Sequence, residues 1–377
     1  MEFKKDDICN YVQHSSSTDL EELYIELNSI YEIDVDYKEY VLRNIIKDSV
    51  EKKKLNNKIV GLRKQKLAKL KTLKLPEQRS KEWYEIRKKI LTASSLGTAI
   101  DKGHFQTREE LILSKIEDQP FKPNPITEWG VKYEDVAIMF YEELYNTKVL
   151  DFGLIPHPDF SIFGASPDGI CDDTGNDEYV SRMVEIKCPP KRKFTKSVPK
   201  HYWMQVQGQL EVCDLDECDF FQVKIEEYEN YDEYCKDIFI INDDIIPGRT
   251  SLNYPKGVVI TCKEGEKLSY IYSKLNQTNN ELEEWINQHR STTENIFEVK
   301  WWKIQRYECT MVERDKGWWI NTIDKIVQFY EDLQYYQNNP DKITNLKEII
   351  MKAKKKRKIN DQELNNFLLI SDEEDNE

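Results

Sequence analysis

Two short stretches, SPDG at 166–169 and VEIKCP at 184–189, decide the fold and the chemistry of this 377-residue chain. Alternate side chains of a strand share a face. A strand through the second stretch therefore directs its valine and isoleucine into a core, with Glu185 and Lys187 side by side on the opposite face. Buried charges are costly unless they are paired or functional. Asp168 lies in the Pro-Asp-Gly turn, where the end of another strand can reach that face.

Two carboxylates and a lysine suit a hard divalent cation together with an anionic substrate. Mg²⁺ is bound in proteins through one or two carboxylates and keeps several waters. A water on such an ion loses its proton more readily, and Lys187 can orient the resulting hydroxide. The residues alone leave a second interpretation open, a hairpin turn with a surface salt bridge.

The segments around these stretches have the pattern of a mixed α/β core. Apolar periodicity predicts a helix at 128–146, with further helices at 201–213, 279–291 and 318–337. It predicts strands at 149–155, 161–166, 179–188, 219–228, 257–262, 267–272 and 299–313.

A candidate anion pocket precedes this core, and we use that name for the three residues Arg87, Thr92 and Ser94. Arg87 follows Trp83 by four residues on a predicted helix, and the next helix is predicted to begin near Thr92 and Ser94. N–H groups at a helix start, hydroxyls and a guanidinium together favour an anion. A helix cap with a surface arginine is the alternative.

Three polar residues on the predicted helices are further candidates. Glu134 lies on an otherwise apolar flank of the helix at 128–146, which is typical of a site carboxylate but also of a partly buried surface glutamate. Gln205 follows Tyr202 by three residues and shares its helical face with Gln209, where an ordinary polar face is the alternative.

Taken in chain order, these motifs resemble those of the phage lambda exonuclease and YqaJ-type viral recombinase family, within the P-D…(D/E)-x-K nuclease superfamily. The resemblance covers about 79–227 and rests on Trp83 with Arg87, TAS at 92–94, Gly130 with Glu134, SPDG, VEIKCP, and YWMQVQ at 202–207. It implies a restriction-endonuclease-like core, a central mixed β-sheet flanked by helices, here with an N-terminal helical extension.

The resemblance also implies roles for the candidate residues. Asp168 and Glu185 would bind catalytic Mg²⁺ or Mn²⁺, expected as a two-ion site, with the backbone carbonyl of Ile186 as a further ligand. Glu134 would complete the acidic site, directly or through metal-bound water. Lys187 would position and activate the attacking water.

The remaining roles concern the DNA. Gln205 would hold the attacking water or the scissile phosphate, with Tyr202 beside it. The anion pocket would hold the 5′-terminal phosphate of the strand being degraded.

By this resemblance the protein is expected to be a metal-dependent 5′-to-3′ exonuclease. It would act on double-stranded DNA ends and leave 3′ single strands for recombination or end processing. The family implies a single-strand annealing protein as a partner and a homotrimeric ring as the assembly. A structure-selective or site-specific endonuclease on the same core, or a catalytically inactive DNA-binding scaffold, remain alternatives. The Lys-, Asn- and Ile-rich composition suggests a large DNA virus or a phage-like element as the source.

Composition changes predict the domain organisation. We expect a helical extension at 1–75 with a basic helix at 51–75, and a nuclease domain at 76–340 with an insert at about 230–300. A flexible tail is expected at 341–377, first basic and then acidic. The basic helix is either a solvated link or a helix that follows the DNA backbone.

The formal net charge of −14 argues against a uniformly basic DNA-coating protein, but it is compatible with local basic surfaces around an acidic metal site. No apolar run is long enough for a membrane span, and the first residues lack the apolar core of a signal peptide. We therefore expect an intracellular protein without a membrane partner, in the host cytoplasm or nucleus if it is viral. The run at 354–358 is either a nuclear localisation signal or a solvated basic stretch.

Overall fold

The computed structural model divides the chain into two compact units, Met1–Thr72 and Leu73–Glu377. None of its described helices has the length and apolar character needed to cross a membrane. The structure describes residues 4–31, 36–103, 105–117, 124–191, 194 and 196–355.

The first unit is a set of helices around its own small core. These helices are α1 (Lys5–His14), α2 (Leu20–Tyr31) and α3 (Asp36–Lys71). Both α1 and α2 pack against the first half of α3 through apolar side chains spaced at helical intervals: Ile8, Val12, Leu23, Leu27, Leu42, Ile46 and Val50. The basic segment predicted as a separate helix from residue 51 is the second half of α3.

The second unit contains a mixed sheet and the helices that cover it. Its elements are, in chain order, α4 (Lys81–Lys89), β1 (Leu91–Thr92), α5 (Leu96–Ala99), α6 (Arg108–Ile116), α7 (Pro125–Tyr145), β2 (Thr147–Leu150), β3 (Ile155–Pro156), β4 (Phe163–Ala165), β5 (Gly169–Gly175), β6 (Met183–Lys187), α8 (Lys200–Cys213), β7 (Glu217–Glu227), α9 (Tyr231–Lys236), β8 (Phe239–Ile241), β9 (Asp244–Ile246), β10 (Lys256–Glu264), β11 (Lys267–Tyr272), α10 (Asn279–Thr292), β12 (Ile296–Glu313), α11 (Lys316–Asn338) and α12 (343–355).

The main sheet has seven strands in the order β11-β10-β12-β7-β6-β5-β2. Strands β6 and β7 are parallel, with α8 in the connection between them, and the other neighbours are antiparallel. A small sheet, β1-β4-β3, and the hairpin β8-β9 are separate. The expected mixed α/β core with flanking helices is confirmed.

Helix α7 covers one face of the main sheet. Asn124 caps its first turn by accepting from the Ile126 N–H at 3.0 Å, and the helix ends at Asn146 in the left-handed conformation (φ 50°). Its buried side chains, among them Phe140 and Tyr141, pack on the sheet's apolar residues. Because the apolar side chains of β6 take this face, Glu185 and Lys187 point the other way, as the alternation predicts.

At three places the second unit differs from, or adds to, what the sequence predicts. The segment 230–300, expected as an insert, supplies β10 and β11 to the main sheet, because their apolar residues fit its core. The tail expected to be flexible from 341 is helical at 343–355, where Leu346 and Ile350 are buried. Strand β5 was not predicted, since its second half is exposed and polar. The acidic end and the last three residues of the basic run lie outside the described residues.

Candidate active site

The Pro-Asp-Gly turn carries Asp168 to the middle of β6. Its Oδ2 accepts a hydrogen bond from the Ile186 backbone N–H at 2.7 Å, which fixes the carboxylate beside the strand. The next residue, Gly169, pairs in register with Val184. The position requires glycine, because a Cβ there would lie 2.1 Å from a methyl group of Val149 on β2.

Three oxygens converge on the Lys187 ammonium. Its Nζ donates to Glu185 Oε1 in a short contact and to the Ile186 carbonyl at 3.0 Å, and it lies 4.0 Å from Asp168 Oδ2. Glu185 is fully buried, so its charge depends on these donors. The side-by-side placement of Glu185 and Lys187 that the alternation predicts is therefore observed, and Asp168 reaches the same point.

Two glutamines on α8 hold the other sides of Glu185. The Gln205 amide donates to Glu185 Oε1 at 2.6 Å, and the Gln209 amide donates to Oε2 at 2.7 Å. Their spacing of four residues puts both on one face of the helix. Gln209 also reaches the Ser166 carbonyl at 3.5 Å and is buried, so it links β6 to the Pro-Asp-Gly turn.

Glu134 approaches Asp168 and Lys187 from α7, and the three side chains line a cavity of about 330 Å³. We call this cavity, with the adjoining Glu185, the carboxylate groove. Glu134 Oε1 accepts from the Arg79 guanidinium at 3.0 Å. Burial raises the pKa of Glu134, although the positive charges of Arg79 and Lys187 oppose the rise. Arg79 was not predicted as a site residue; it occupies a left-handed backbone conformation (φ 64°) before α4.

The charges of the groove are mutually dependent. Burial and the neighbouring charge of Glu185 raise the pKa of Asp168 well above its usual value. Burial alone would lower the pKa of Lys187, but the charges of Glu185 and Asp168 outweigh it and raise this pKa. The lysine therefore remains protonated, and Asp168 needs positive charge nearby to stay ionised.

This donor set fits a hard cation. In the described part of the chain, no three His, Cys, Asp or Glu side chains are grouped to hold a metal ion by themselves. However, oxygens of Asp168, Glu185 and Ile186 already surround one cation, the Lys187 ammonium. Two carboxylates and a carbonyl are ligands that Mg²⁺ accepts, with waters completing the shell.

The anion pocket is also brought together. The Arg87 guanidinium donates to Ser94 Oγ at 3.2 Å, and the hydroxyls of Ser94 and Thr92 are 3.1 Å apart. Arg87 stacks over the Trp83 ring at 4.3 Å. The indole N–H of Trp83 in turn donates to Ser166 Oγ at 3.0 Å, two residues before Asp168. The pocket is thus joined to the carboxylate groove through one tryptophan.

A second cation near this pocket was not predicted from the sequence. Lys115 on α6 donates to the carbonyls of Arg87 and Ile90 at 3.0 and 2.7 Å, and so holds the end of α4. Burial and the charge of Arg87 lower the pKa of Lys115 to about 8. Only the tertiary contact between α4 and α6 reveals this role.

Tyr202 lies at the edge of the groove on α8. The Lys187 ammonium is 5.2 Å from the centre of its ring, and the ring lines the same cavity as Glu134. The structure therefore places Glu134, Asp168, Lys187 and Tyr202 around one cavity. Glu185 contacts Lys187 from behind this wall, Gln205 contacts Glu185, and the anion pocket is joined to Ser166 through Trp83.

Comparison with known proteins confirms the expected resemblance. Residues 82–216 match the YqaJ-like viral recombinase domain family, a range that holds the site residues described above except Arg79. Among solved structures, an alkaline exonuclease from Laribacter hongkongensis is similar, with 18% identity, a TM-score of 0.41, and coverage of 71% of this chain and 98% of that one. A phage-related exonuclease from Haemophilus somnus has 14% identity, a TM-score of 0.33, and coverage of 68% and 96%.

Two viral proteins are similar in sequence. An uncharacterised protein of Acanthamoeba polyphaga mimivirus is 32% identical over 312 residues, covering 74% of this chain and 56% of that protein. A protein of African swine fever virus is 28% identical over 162 residues, covering 36% of this chain and 46% of that protein. The chain thus spans about half the length of these relatives.

Proposed function

We propose, with the YqaJ-like domain of residues 82–216 as the premise, that this protein is a metal-dependent deoxyribonuclease. Its reaction would be 5′-to-3′ exonucleolytic hydrolysis of double-stranded DNA, leaving 3′ single strands for recombination or end processing. One observation carries the proposal. Oxygens of Asp168, Glu185 and Ile186 meet around a single cation beside a pocket built for an anion.

In this proposal Asp168, Glu185 and the Ile186 carbonyl hold Mg²⁺ or Mn²⁺, and Glu134 contributes directly or through water. The ion would lower the pKa of bound water and stabilise charge on the scissile phosphate. The number of ions, expected to be two from the resemblance, is part of the proposal.

The chain's own residues would position the reactants. With a metal ion on the three oxygens, the Lys187 ammonium would be released from them to donate to the attacking water or to a phosphate oxygen. The Gln205 amide, 2.6 Å from Glu185, lies where it can hold that water or the scissile phosphate. Tyr202 would border the substrate beside Lys187.

The anion pocket supports action at DNA ends. A terminal phosphate monoester carries more charge than an internal diester, so a pocket of one guanidinium and two hydroxyls favours an end. Its link to Ser166 through Trp83 keeps this recognition next to the hydrolytic residues. The presence of Asp168, Glu185 and Lys187 in mutual contact weighs against an inactive scaffold.

Digestion of end-labelled DNA tests the proposal. With Mg²⁺, the protein should degrade linear duplexes, prefer 5′-phosphorylated ends and spare covalently closed circles, and EDTA should stop the reaction. Asp168→Asn should abolish cleavage. Asp219→Asn is the matched control, since Asp219 is a buried acid on β7 whose partners are Tyr141 and Arg182. Rapid cutting of closed circles would favour the endonuclease alternative instead.

The resemblance also motivates two proposals about assembly, a single-strand annealing protein as partner and a homotrimer. Light scattering coupled to size-exclusion chromatography measures the mass of the assembly directly. A monomer at micromolar concentration would contradict the trimer.

A further inference from the structure

A half-exposed arginine covers one carboxylate of the carboxylate groove. The Arg79 guanidinium donates to Glu134 Oε1 at 3.0 Å, and the Arg79 side chain is 45% exposed whereas that of Glu134 is 25% exposed. Among the described residues, Arg79 forms the only ion pair of Glu134. Two carboxylates of the groove are therefore paired with cations of the protein itself, Glu134 with Arg79 and Glu185 with Lys187.

The backbone around Arg79 is held in place by its two neighbours. The Gln78 amide donates to the carbonyls of Phe152 and Pro167 at 2.9 and 3.1 Å, and Ser80 caps the first turn of α4. Arg79 has its left-handed backbone conformation between these two contacts. A change of partner for the guanidinium therefore requires only rotation of its long side chain, which has many rotamers.

A divalent ion at Glu134 would compete with this guanidinium. Both are cations that bind carboxylate oxygens, so they repel each other when they share one carboxylate. Glu134 lines the groove beside Asp168, which is the side on which the proposed ion would lie. Binding of the ion to Glu134, directly or through water, would therefore weaken the ion pair with Arg79.

Acids at the rim would keep the displaced guanidinium near the groove. Burial raises the pKa of Asp135 and of Asp151, and the charge of Arg79 opposes the rise at both. A guanidinium has five N–H donors in a planar fork, and it pairs with phosphate oxygens in the same bidentate way as with a carboxylate. A phosphate of a bound strand is thus a suitable next partner for Arg79.

We propose that Arg79 is an exchangeable cation, which neutralises Glu134 until a divalent ion binds and then pairs with a phosphate of the DNA strand in the groove. The inference rests on the proposed function. It makes the ion and the DNA bind cooperatively. An ion at Glu134 frees Arg79 for the phosphate, and a phosphate that binds Arg79 frees Glu134 for the ion.

Metal titration without DNA tests the first half of this exchange. Mn²⁺ binding is measured by isothermal titration calorimetry for wild type and Arg79→Gln. The variant should bind Mn²⁺ about 2- to 10-fold more tightly, because it lacks the competing guanidinium, whose ion pair is partly screened by solvent. Arg249→Gln is the matched control, since Arg249 pairs with Glu143 farther along α7. It should bind Mn²⁺ as wild type does.

The salt dependence of DNA binding tests the second half. Anisotropy titrations use duplexes whose end linkages are phosphorothioates, with Ca²⁺ as the divalent ion, and intact DNA is confirmed on a gel. Each phosphate that a cation neutralises adds about 0.9 to the slope of log K against log salt, so Arg79→Gln should lower the slope by about 1 in Ca²⁺. In EDTA, wild type and Arg79→Gln should have equal slopes. Arg79→Lys keeps the charge and should restore the slope in Ca²⁺.

The inference is overturned if Arg79→Gln binds Mn²⁺ no more tightly than wild type, or if the two proteins have equal slopes in Ca²⁺. A slope that Arg79→Gln lowers equally in EDTA would overturn it as well, because the arginine would then contact DNA whether or not an ion is bound. Failure of the proposed function would show separately, as absence of cleavage by wild type in Mg²⁺.

Discussion

Two buried glutamines on α8 allow a test of whether the position of the Glu185 carboxylate affects cleavage separately from protein stability. Gln209 and Gln207 are both 1% exposed and lie two residues apart. Gln209 donates to Glu185 Oε2 at 2.7 Å. Gln207 instead donates to the Glu313 carbonyl at 2.9 Å and accepts from the Asp315 N–H at 2.6 Å, away from the carboxylate groove.

Replacement of each glutamine by leucine has a definable cost. Gln209→Leu removes a hydrogen bond to a buried carboxylate, worth about 1.5–3 kcal/mol, and the long contact to the Ser166 carbonyl. It also removes the Gln209 Oε1 atom, which is buried and has no hydrogen-bond partner among the described residues. We expect a net loss of about 1–2 kcal/mol in the free energy of unfolding. Gln207→Leu removes two hydrogen bonds to the backbone of exposed residues, worth about 0.5–1.5 kcal/mol each, so its loss should be comparable.

The catalytic effects should instead differ. Without Gln209, Glu185 retains its contacts to Lys187 and Gln205 only at Oε1 and is free to turn about that oxygen. Displacement of a catalytic group by about 1 Å can cost about 100-fold. We therefore expect Gln209→Leu to slow cleavage by about 10- to 100-fold, whereas Gln207→Leu should change it less than about 3-fold.

Single-turnover cleavage of a 5′-phosphorylated duplex, with saturating enzyme and Mg²⁺, measures the chemical step. Denaturant unfolding of the same preparations measures stability. The reasoning is refuted if Gln209→Leu cleaves at the wild-type rate. It is equally refuted if both variants lose activity in proportion to their loss of stability, because the hydrogen bond to Glu185 would then have no particular role.

Three further changes give distinct results. Arg87→Gln should reduce the preference for 5′-phosphate over 5′-hydroxyl ends by about 10-fold or more in initial-rate assays, with little effect on 5′-hydroxyl ends. Lys187→Met should lower the single-turnover rate by at least about 100-fold, and equal rates for this variant and wild type would exclude the proposed role. Because the pKa of Lys115 is lowered to about 8 from 10.5, the unfolded chain binds more protons between these pH values. The free energy of unfolding of wild type should therefore rise with pH across that interval relative to Lys115→Met, as measured by urea titrations at each pH.

Much of the core was predictable because local patterns report it directly. The strict alternation of VEIKCP put Glu185 and Lys187 on one face, and the helical spacing of α8 put Gln205 and Gln209 on another surface facing them. Asp168 was identifiable because a Pro-Asp-Gly sequence is a turn signal beside a strand. Each of these features depends on a few residues that are close in the chain, so it can be predicted from the sequence.

The residues that were missed depend on long-range contacts. Arg79 contacts Glu134, which lies 55 positions later in the chain. Its backbone has a positive φ, a conformation that an arginine in the sequence does not predict. Lys115 is one of many lysines, and only the packing of α6 against the end of α4 distinguishes it. The helix at 343–355 was obscured by its basic composition, although buried Leu346 and an ion pair from Lys347 to Glu117 attach it.

The formal net charge of −14 hides a reversal of sign across the active site. On one side of the Trp83–Ser166 contact, the acids Asp168, Glu185 and Glu134 outnumber the cations Lys187 and Arg79 by three to two. On the other side are two partly buried cations, the guanidinium of the anion pocket and the ammonium that holds the end of α4.

Within the described residues, neither of these two cations is paired with a carboxylate. A divalent cation would therefore be attracted to the first side and a phosphate to the second. Because one tryptophan joins the two sides, local field and geometry together would orient a DNA strand with its terminal phosphate away from the hydrolytic groups. The total charge of the chain has no part in this orientation, since charges beyond about 10 Å are screened at physiological salt.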